Sequence, residues 1–226
     1  MTTKEAPMRT IVLTTLAALA VPLAVAAAPA QKPLSGNLVK NPGAEAGPAT
    51  PDSAQAALPV PSWTVTGGFH AASYAGYRWA PDPRDKTKGS GAKFFVGCFA
   101  APGETVNRGT ATQTISIARL AKAIDTGGVQ LRLSAELGGY DGTENMATAA
   151  AAFLDSNGKR LGKTIGVKGP TYLQRQGVTR VEPRTKTGAV PAGARSVQVT
   201  LTGSRTGSGP CGFVDNVSAV LLQVTR

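Results

Sequence analysis

The chain has 226 residues, with 24 Lys+Arg against 13 Asp+Glu and a net charge of +11 at pH 7. Aromatics make up only 5%, and there is a single histidine, His70, with two cysteines, Cys98 and Cys211. This inventory leaves no Cys/His cluster for zinc, and any histidine-based acid/base chemistry has to run through His70.

Residues 1–30 read as a secretory signal peptide. Lys4 and Arg9 give a positive start, Ile11 to Ala28 is apolar, and Ala28-Pro29-Ala30 places small residues before a cut at Gln31. Met8, directly before Arg9, is an alternative start. A membrane anchor is the competing reading, but the run is Ala-rich and marginal for the ~20 residues that a span needs. No later stretch is apolar enough to span. Cleavage would leave about 196 residues, the size of one domain, and a net charge of +10 once Lys4, Arg9 and Glu5 are gone. The expected organisation is a linker at 31–36 and one domain at 37–226, in a secreted protein.

Along that domain, Asn37 to Lys40 reads as a brief strand, with a turn at Asn41-Pro42-Gly43. A loop rich in Ala, Pro and Ser runs from Gly47 to Pro61. Trp63 to Val65 and Phe69 to Tyr74 read as strands, and Gly76 to Gly91 as a long polar loop. Ala92 to Cys98 has buried-strand character, and Thr110 to Ile117 is a Thr-rich β run. Ala118 to Asp125 is the one helix candidate, with Leu120, Ala121 and Ile124 on one face and Gly127 past its end. In Gln130 to Leu137 apolar and polar residues alternate, the mark of a half-buried strand. Met146 to Leu154 turns at Asp155-Ser156-Asn157-Gly158 and returns through Leu161 to Val167. Val178 to Arg184, Ser196 to Thr202 and Phe213 to Val224 complete the set. About nine short strands with one minor helix predict an all-β, antiparallel sandwich.

Two terminal signatures carry a resemblance. Asn41-Pro42-Gly43-Ala44-Glu45 with Pro61-Ser62-Trp63, and Gly212-Phe213-Val214-Asp215-Asn216-Val217, resemble the opening and closing motifs of galactose-binding-like jelly rolls of the family-4/9 carbohydrate-binding type. The middle, including Gly91-Ala92-Lys93-Phe94-Phe95-Val96-Gly97 and Leu137-Gly138-Gly139-Tyr140, is similar to uncharacterised bacterial secreted domains of that fold. The resemblance spans Asn37 to Leu222. It implies a jelly roll and a binding tendency, and it implies no reaction.

From the resemblance, Glu45 and Asp215 sit where such modules hold a structural calcium, an ion that wants six to eight oxygens. The alternative is that both carboxylates only accept backbone N–H groups and pin the two chain ends together. Cys98 and Cys211, in an exported protein, read as a disulfide, with two buried thiols as the alternative. Trp79, with Tyr77, Tyr74 and Arg78, is the leading ligand-contact group, since amphipathic aromatics on a loop are common binding features. The alternative is that these rings fold back onto the sandwich. Trp63 reads as core.

Enzyme chemistry has little to stand on. His70 alternates within a strand, no G-x-S-x-G is present, and Asp141 with Glu144 reads as a solvated turn. No catalytic residue is assigned and the chain is read as a non-enzyme. From Lys159 to Arg205 there are ten Lys/Arg and one acid, Glu182. That is either a solvated face or a patch for an anionic polymer. The functional expectation is a secreted, monomeric, non-catalytic module for glycan or cell-envelope polysaccharide. An envelope protein binding an anionic polymer is the alternative class and a hydrolase the third, with nucleic acid and a membrane span in the mature chain disfavoured.

Overall fold

The computed structural model describes residues 31–52, 56–82, 91–100, 105–207 and 209–224. Residues 1–30, read above as a signal peptide, lie outside the described residues.

Among the described residues there are eleven strands. They are β1 (Gln31–Pro33), β2 (Thr64–Thr66), β3 (His70–Ser73), β4 (Lys93–Val96), β5 (Arg108–Ser116), β6 (Val129–Gly139), β7 (Met146–Leu154), β8 (Arg160–Lys168), β9 (Arg180–Ala189), β10 (Ser196–Ser204) and β11 (Phe213–Val224). A 3-10 turn, Ala118–Leu120, leads into the short helix α1 (Ala121–Asp125). One sheet has the order β3-β4-β11-β6-β9, with β1 also paired to β11; the other has the order β2-β5-β10-β7-β8. Every pairing is antiparallel. The expected antiparallel jelly-roll sandwich is therefore the fold observed.

The alternating residues of the sequence supply the layer between the sheets. Leu131, Leu133, Ala135 and Leu137 of β6 are buried there, as are Val197, Val199 and Leu201 of β10. Trp63 joins this core, 8% exposed, with its ring edge-on to Phe95 and its Nε1 donating to the Asn41 carbonyl. Asp155 caps the β7–β8 hairpin by accepting the N–H groups of Asn157 and Lys159, and Gly158 takes the positive φ that the turn requires.

The N-terminal segment departs from expectation. Residues 31–33, read as linker, form β1 on the free side of β11. Residues 37–40, read as a strand, do not form one. There the Asn37 side chain replaces the ladder, donating to Val217 O and accepting from Ala219 N, while Leu38 N–H donates to Ala219 O. The segment still runs along β11, so the two ends of the domain lie together.

At one end the sheets touch backbone to backbone. A Cβ on Gly97, just past β4, would stand 2.2 Å from Cα of Gly203, and one on Gly109 would stand 2.2 Å from the Gly97 carbonyl oxygen. Only glycine permits this approach. The chain leaving this pinch forms the loops that carry the candidate site.

Candidate functional site

Cys98 and Cys211 are joined by a disulfide, with Cα atoms 5.4 Å apart and 113 residues of separation. It links the end of β4 to the start of β11, whose register already puts Val96 opposite Phe213. Cys98 lines a pocket of about 290 Å³ beside this link, whose walls come from Thr50 to Asp52, Tyr77 to Trp79, Cys98 to Ala100, and Arg205 with Gly209 and Pro210; His70 also lines it.

The outer face of the β3-β4-β11-β6-β9 sheet explains how the aromatics reach this pocket. Ala72, Phe94, Val96, Val181 and Phe213 form a second, smaller apolar cluster there, and Tyr74, Tyr77, Trp79, Ala80 and Tyr140 pack against it. Tyr77 meets Phe94 and Phe213 edge-on, and Trp79 meets Tyr77 at 5.5 Å and Tyr140 at 6.4 Å. Residues 77–80 are thus anchored by their own rings, and Trp79 is half-buried while still lining the pocket. The Arg78 guanidinium lies 3.7 Å from the Trp79 ring centroid, so one indole face is already taken by a cation.

The polar groups of the pocket are mixed in sign. Asp52 Oδ2 accepts the Arg78 backbone N–H at 3.0 Å and lies 3.8 Å from the Arg78 Nε. Arg205 donates from Nη1 to Gly209 O and from Nε to Asn107 Oδ1. His70 is only 1% exposed, with its ring perpendicular to that of Phe99. Its Nδ1 is 2.9 Å from Gly68 O, and a carbonyl only accepts, so Nδ1 holds the proton. Burial lowers the His70 pKa, which keeps the ring neutral and leaves Nε2 as an acceptor. Burial, and then Asp52, raise the Tyr77 pKa, whereas Arg78 and Arg205 pull it back.

Tyr74 belongs to a different place. Its hydroxyl donates to Asp215 Oδ2 at 2.8 Å and its ring packs on Phe94, so it lies outside the pocket lining and supports the carboxylates instead. Asp215 and Glu136 face each other across β11 and β6, at 0% and 3% exposure. Asp215 Oδ1 also accepts the N–H of Asn216. Burial, with Glu136 and Glu45 adding like charge, pushes Asp215 up to about 7. Both oxygens of Asp215 are engaged, which makes it a sheet-pinning group rather than an exposed acid.

Glu45 approaches the same spot. A Cβ on Gly43 would lie 3.1 Å from Asp215 Oδ1 and 3.9 Å from Glu45 Oε1, so one glycine separates the two carboxylates. The expected meeting of the opening and closing motifs therefore occurs. The donors do not fit a calcium ion, however. Glu45 Oε1 accepts the Lys93 backbone N–H at 2.9 Å, and the Lys93 ammonium donates to the carbonyl oxygens of Glu45 and Gly47 at 2.9 and 2.5 Å. A lysine already holds the main-chain oxygens that a metal would need. Among the described residues no group of three or more His, Cys, Asp or Glu is placed to hold a metal ion.

Sequence reasoning missed several pocket residues. Asp52, Arg205 and the Cys98–Ala100 wall come from distant loops, with no local motif to join them. It also missed Arg175, 0% exposed, which donates to the carbonyls of Gly139, Asp141, Val178 and Thr143. Asp141 and Glu144 are exposed on the turn that Arg175 secures. Residues 83–90 of the loop read at Gly76 to Gly91 lie outside the described residues.

No family model matches the chain, and no curated protein matches it. Among solved structures it is similar to the apo form of a cyclase from Fischerella sp., with TM-score 0.57 and 12% identity over 85% of this chain and 98% of that one. It is also similar to the enzymatically active domain of bacteriophage CBA120 tailspike protein 4, with TM-score 0.52 and 18% identity over 82% of this chain and 21% of that one. The chain spans about a fifth of that tailspike structure. A third, at TM-score 0.42 and 16% identity, is TmCBM61 in complex with β-1,4-galactotriose, over 84% of this chain and 99% of that one. At these identities the likeness defines a class of fold, the antiparallel jelly-roll sandwich, and nothing finer.

Proposed function

We propose that the protein is a secreted, non-catalytic glycan-binding module whose site is the loop pocket around Trp79. The observation that carries this reading is the make-up of that pocket. A volume of about 290 Å³ has room for a sugar ring, and Tyr77, Trp79, His70, Asp52, Arg78 and Arg205 line it together. An apolar ring surface beside a few convergent donors and acceptors is what a polyhydroxylated ring needs. The lack of catalysis is inferred from the carboxylates: the Asp215–Glu136 pair is buried, and Asp215 has both oxygens engaged.

A second reading rests on a separate observation. Arg160, Lys163 and Lys168 of the edge strand β8 and Lys186 of the edge strand β9 are all exposed, a basic margin open to an anionic polymer. Calorimetric titration of the mature domain with neutral and acidic oligosaccharides, in low and high salt, tests both. Binding that is lost in Trp79→Ala supports the pocket. Binding that collapses with salt and ignores Trp79 supports the basic margin.

A further inference from the structure

The pocket carries more information than its size, because its free hydrogen-bonding capacity is lopsided. Asp52 is the one carboxylate in the lining among the described residues, and it is already engaged by the backbone N–H of Arg78 and faced by the Arg78 side chain. Arg205 differs. Its Nη1 and Nε bonds both go to neutral oxygens, those of Gly209 and Asn107, which leaves Nη2 and the full positive charge without a carboxylate among the described residues. Those two bonds also fix the guanidinium, so a ligand would meet a pre-oriented fork rather than a floppy chain. Arg78 is held over the Trp79 ring with its side chain 64% exposed. Arg78 and Arg205 line the same pocket as the Tyr77 phenol, so two cations face one cavity. His70 is neutral there and does not alter the balance.

A neutral sugar would leave the Arg205 charge unanswered. An anionic substituent on the ring would answer it with charge-assisted, two-point hydrogen bonds. Resting on the glycan-binding reading above, we propose that the pocket is built for an acidic sugar, one bearing a carboxylate or a sulfate ester, with Arg205 as the main anion contact and Arg78 as the second. The anion oxygens sit on the guanidinium side and the ring carbons lie toward Tyr77 and Trp79. Asp52 limits the accepted charge by repelling a second anion on the same residue.

The test uses the mature protein and two pairs of probes, trigalacturonate with its methyl ester and sulfated with unsulfated galactotriose, titrated in physiological salt. The acidic form of at least one pair should bind about tenfold tighter than its uncharged counterpart. Preference for the carboxylate pair or the sulfate pair then decides which anion is taken. Arg205→Gln should shrink the acid-over-neutral preference about tenfold. Because Arg205 also ties down Gly209 and Asn107, the exposed Arg78→Gln serves as a second variant and should reduce the same preference. Asp52→Asn should raise it. The paired Lys163→Gln, Lys186→Gln variant on the β8–β9 margin should leave it in place. Equal binding of acidic and neutral partners overturns the proposal while leaving the glycan reading standing, whereas no binding of any probe removes the glycan reading itself. A preference that follows Lys163 and Lys186 rather than Arg205 and Arg78 also overturns it, because the anion contact is then the strand margin.

Discussion

Lys93 and Glu45 hold each other twice: the Lys93 ammonium donates to the Glu45 carbonyl oxygen, and the Glu45 carboxylate accepts the Lys93 backbone N–H, each at 2.9 Å. The ammonium also binds Gly47 O. Gly91 makes this possible, since a Cβ there would lie 2.1 Å from the Glu45 carboxylate carbon. A side-chain cation thus secures the opening motif against β4.

Lys93→Met should therefore destabilise the domain by about 1–3 kcal/mol, the cost of leaving carbonyl oxygens without donors. Chelator and added calcium should both leave the melting temperature of the wild-type domain unchanged, as the Lys93 ammonium holds the carbonyl oxygens of Glu45 and Gly47 that an ion would need. A rise in melting temperature with calcium would show that a metal displaces the lysine.

Asp215 sets a pH dependence. It ionises near pH 7 in the fold, against an ordinary value of 3.8. Between these values the folded state keeps a proton that the unfolded chain has released. Asp215 therefore withdraws stability as pH rises from about 4 to about 7, by up to about 4 kcal/mol, and then no more, whereas buried His70, whose pKa is lowered, acts with the opposite sign just below its ordinary value of 6.5. Denaturant unfolding across that window should show the Asp215 share as the difference in slope between the wild type and Asp215→Asn, the His70 contribution being common to both. The Asp125–Arg195 pair does not confuse the reading: Arg195 lowers the Asp125 pKa, so that contribution is lost only on acidification below the usual carboxylate range.

Arg175 is a buried cation whose four hydrogen bonds all go to main-chain carbonyls. Arg175→Met would strand those oxygens and should cost roughly 2–4 kcal/mol. Arg175→Lys should recover only part of it, because one ammonium cannot reach four carbonyls in a fork geometry. Thermal melts of the two variants test this ranking.

The two tryptophans should separate under mutation. Trp63→Ala should cost roughly 3–5 kcal/mol of stability as a core truncation. Trp79→Ala should leave a folded protein and weaken glycan binding by about 1–3 kcal/mol. Full affinity in a folded Trp79→Ala variant would move the site elsewhere.

Much of the sandwich was legible because burial imposes a period. Gln130 to Leu137 and Ser196 to Thr202 alternate, and both are strands with one face in the core. The β7 span Met146–Leu154 and the β11 span Phe213–Val224 were also readable to the residue. The N-terminal segment was not. Gln31–Pro33 is exposed throughout, so its pairing with β11 leaves no hydrophobic trace. At the site, Tyr77, Arg78 and Trp79 were visible as a local cluster. Asp52 and Arg205 were not, as 153 positions separate them in the sequence and only the closed topology brings them to one wall. Tyr74 went astray for a simpler reason: Asp215 competes for its hydroxyl, and that bond turns it to the carboxylate side.

The contact between Gly97 and Gly203 has a bearing on redesign. Where main chain lies on main chain, with Gly109 against the same carbonyl, no residue can be enlarged without prising the sheets apart. These glycines act as a fixed gauge block that sets the spacing between the Cys98–Ala100 wall and the Arg205 wall. A library meant to change what the pocket accepts should hold residues 97, 109 and 203 constant and vary positions 52, 78, 79 and 205. The loops there project beyond the block, and a new side chain alters the opening without altering the frame.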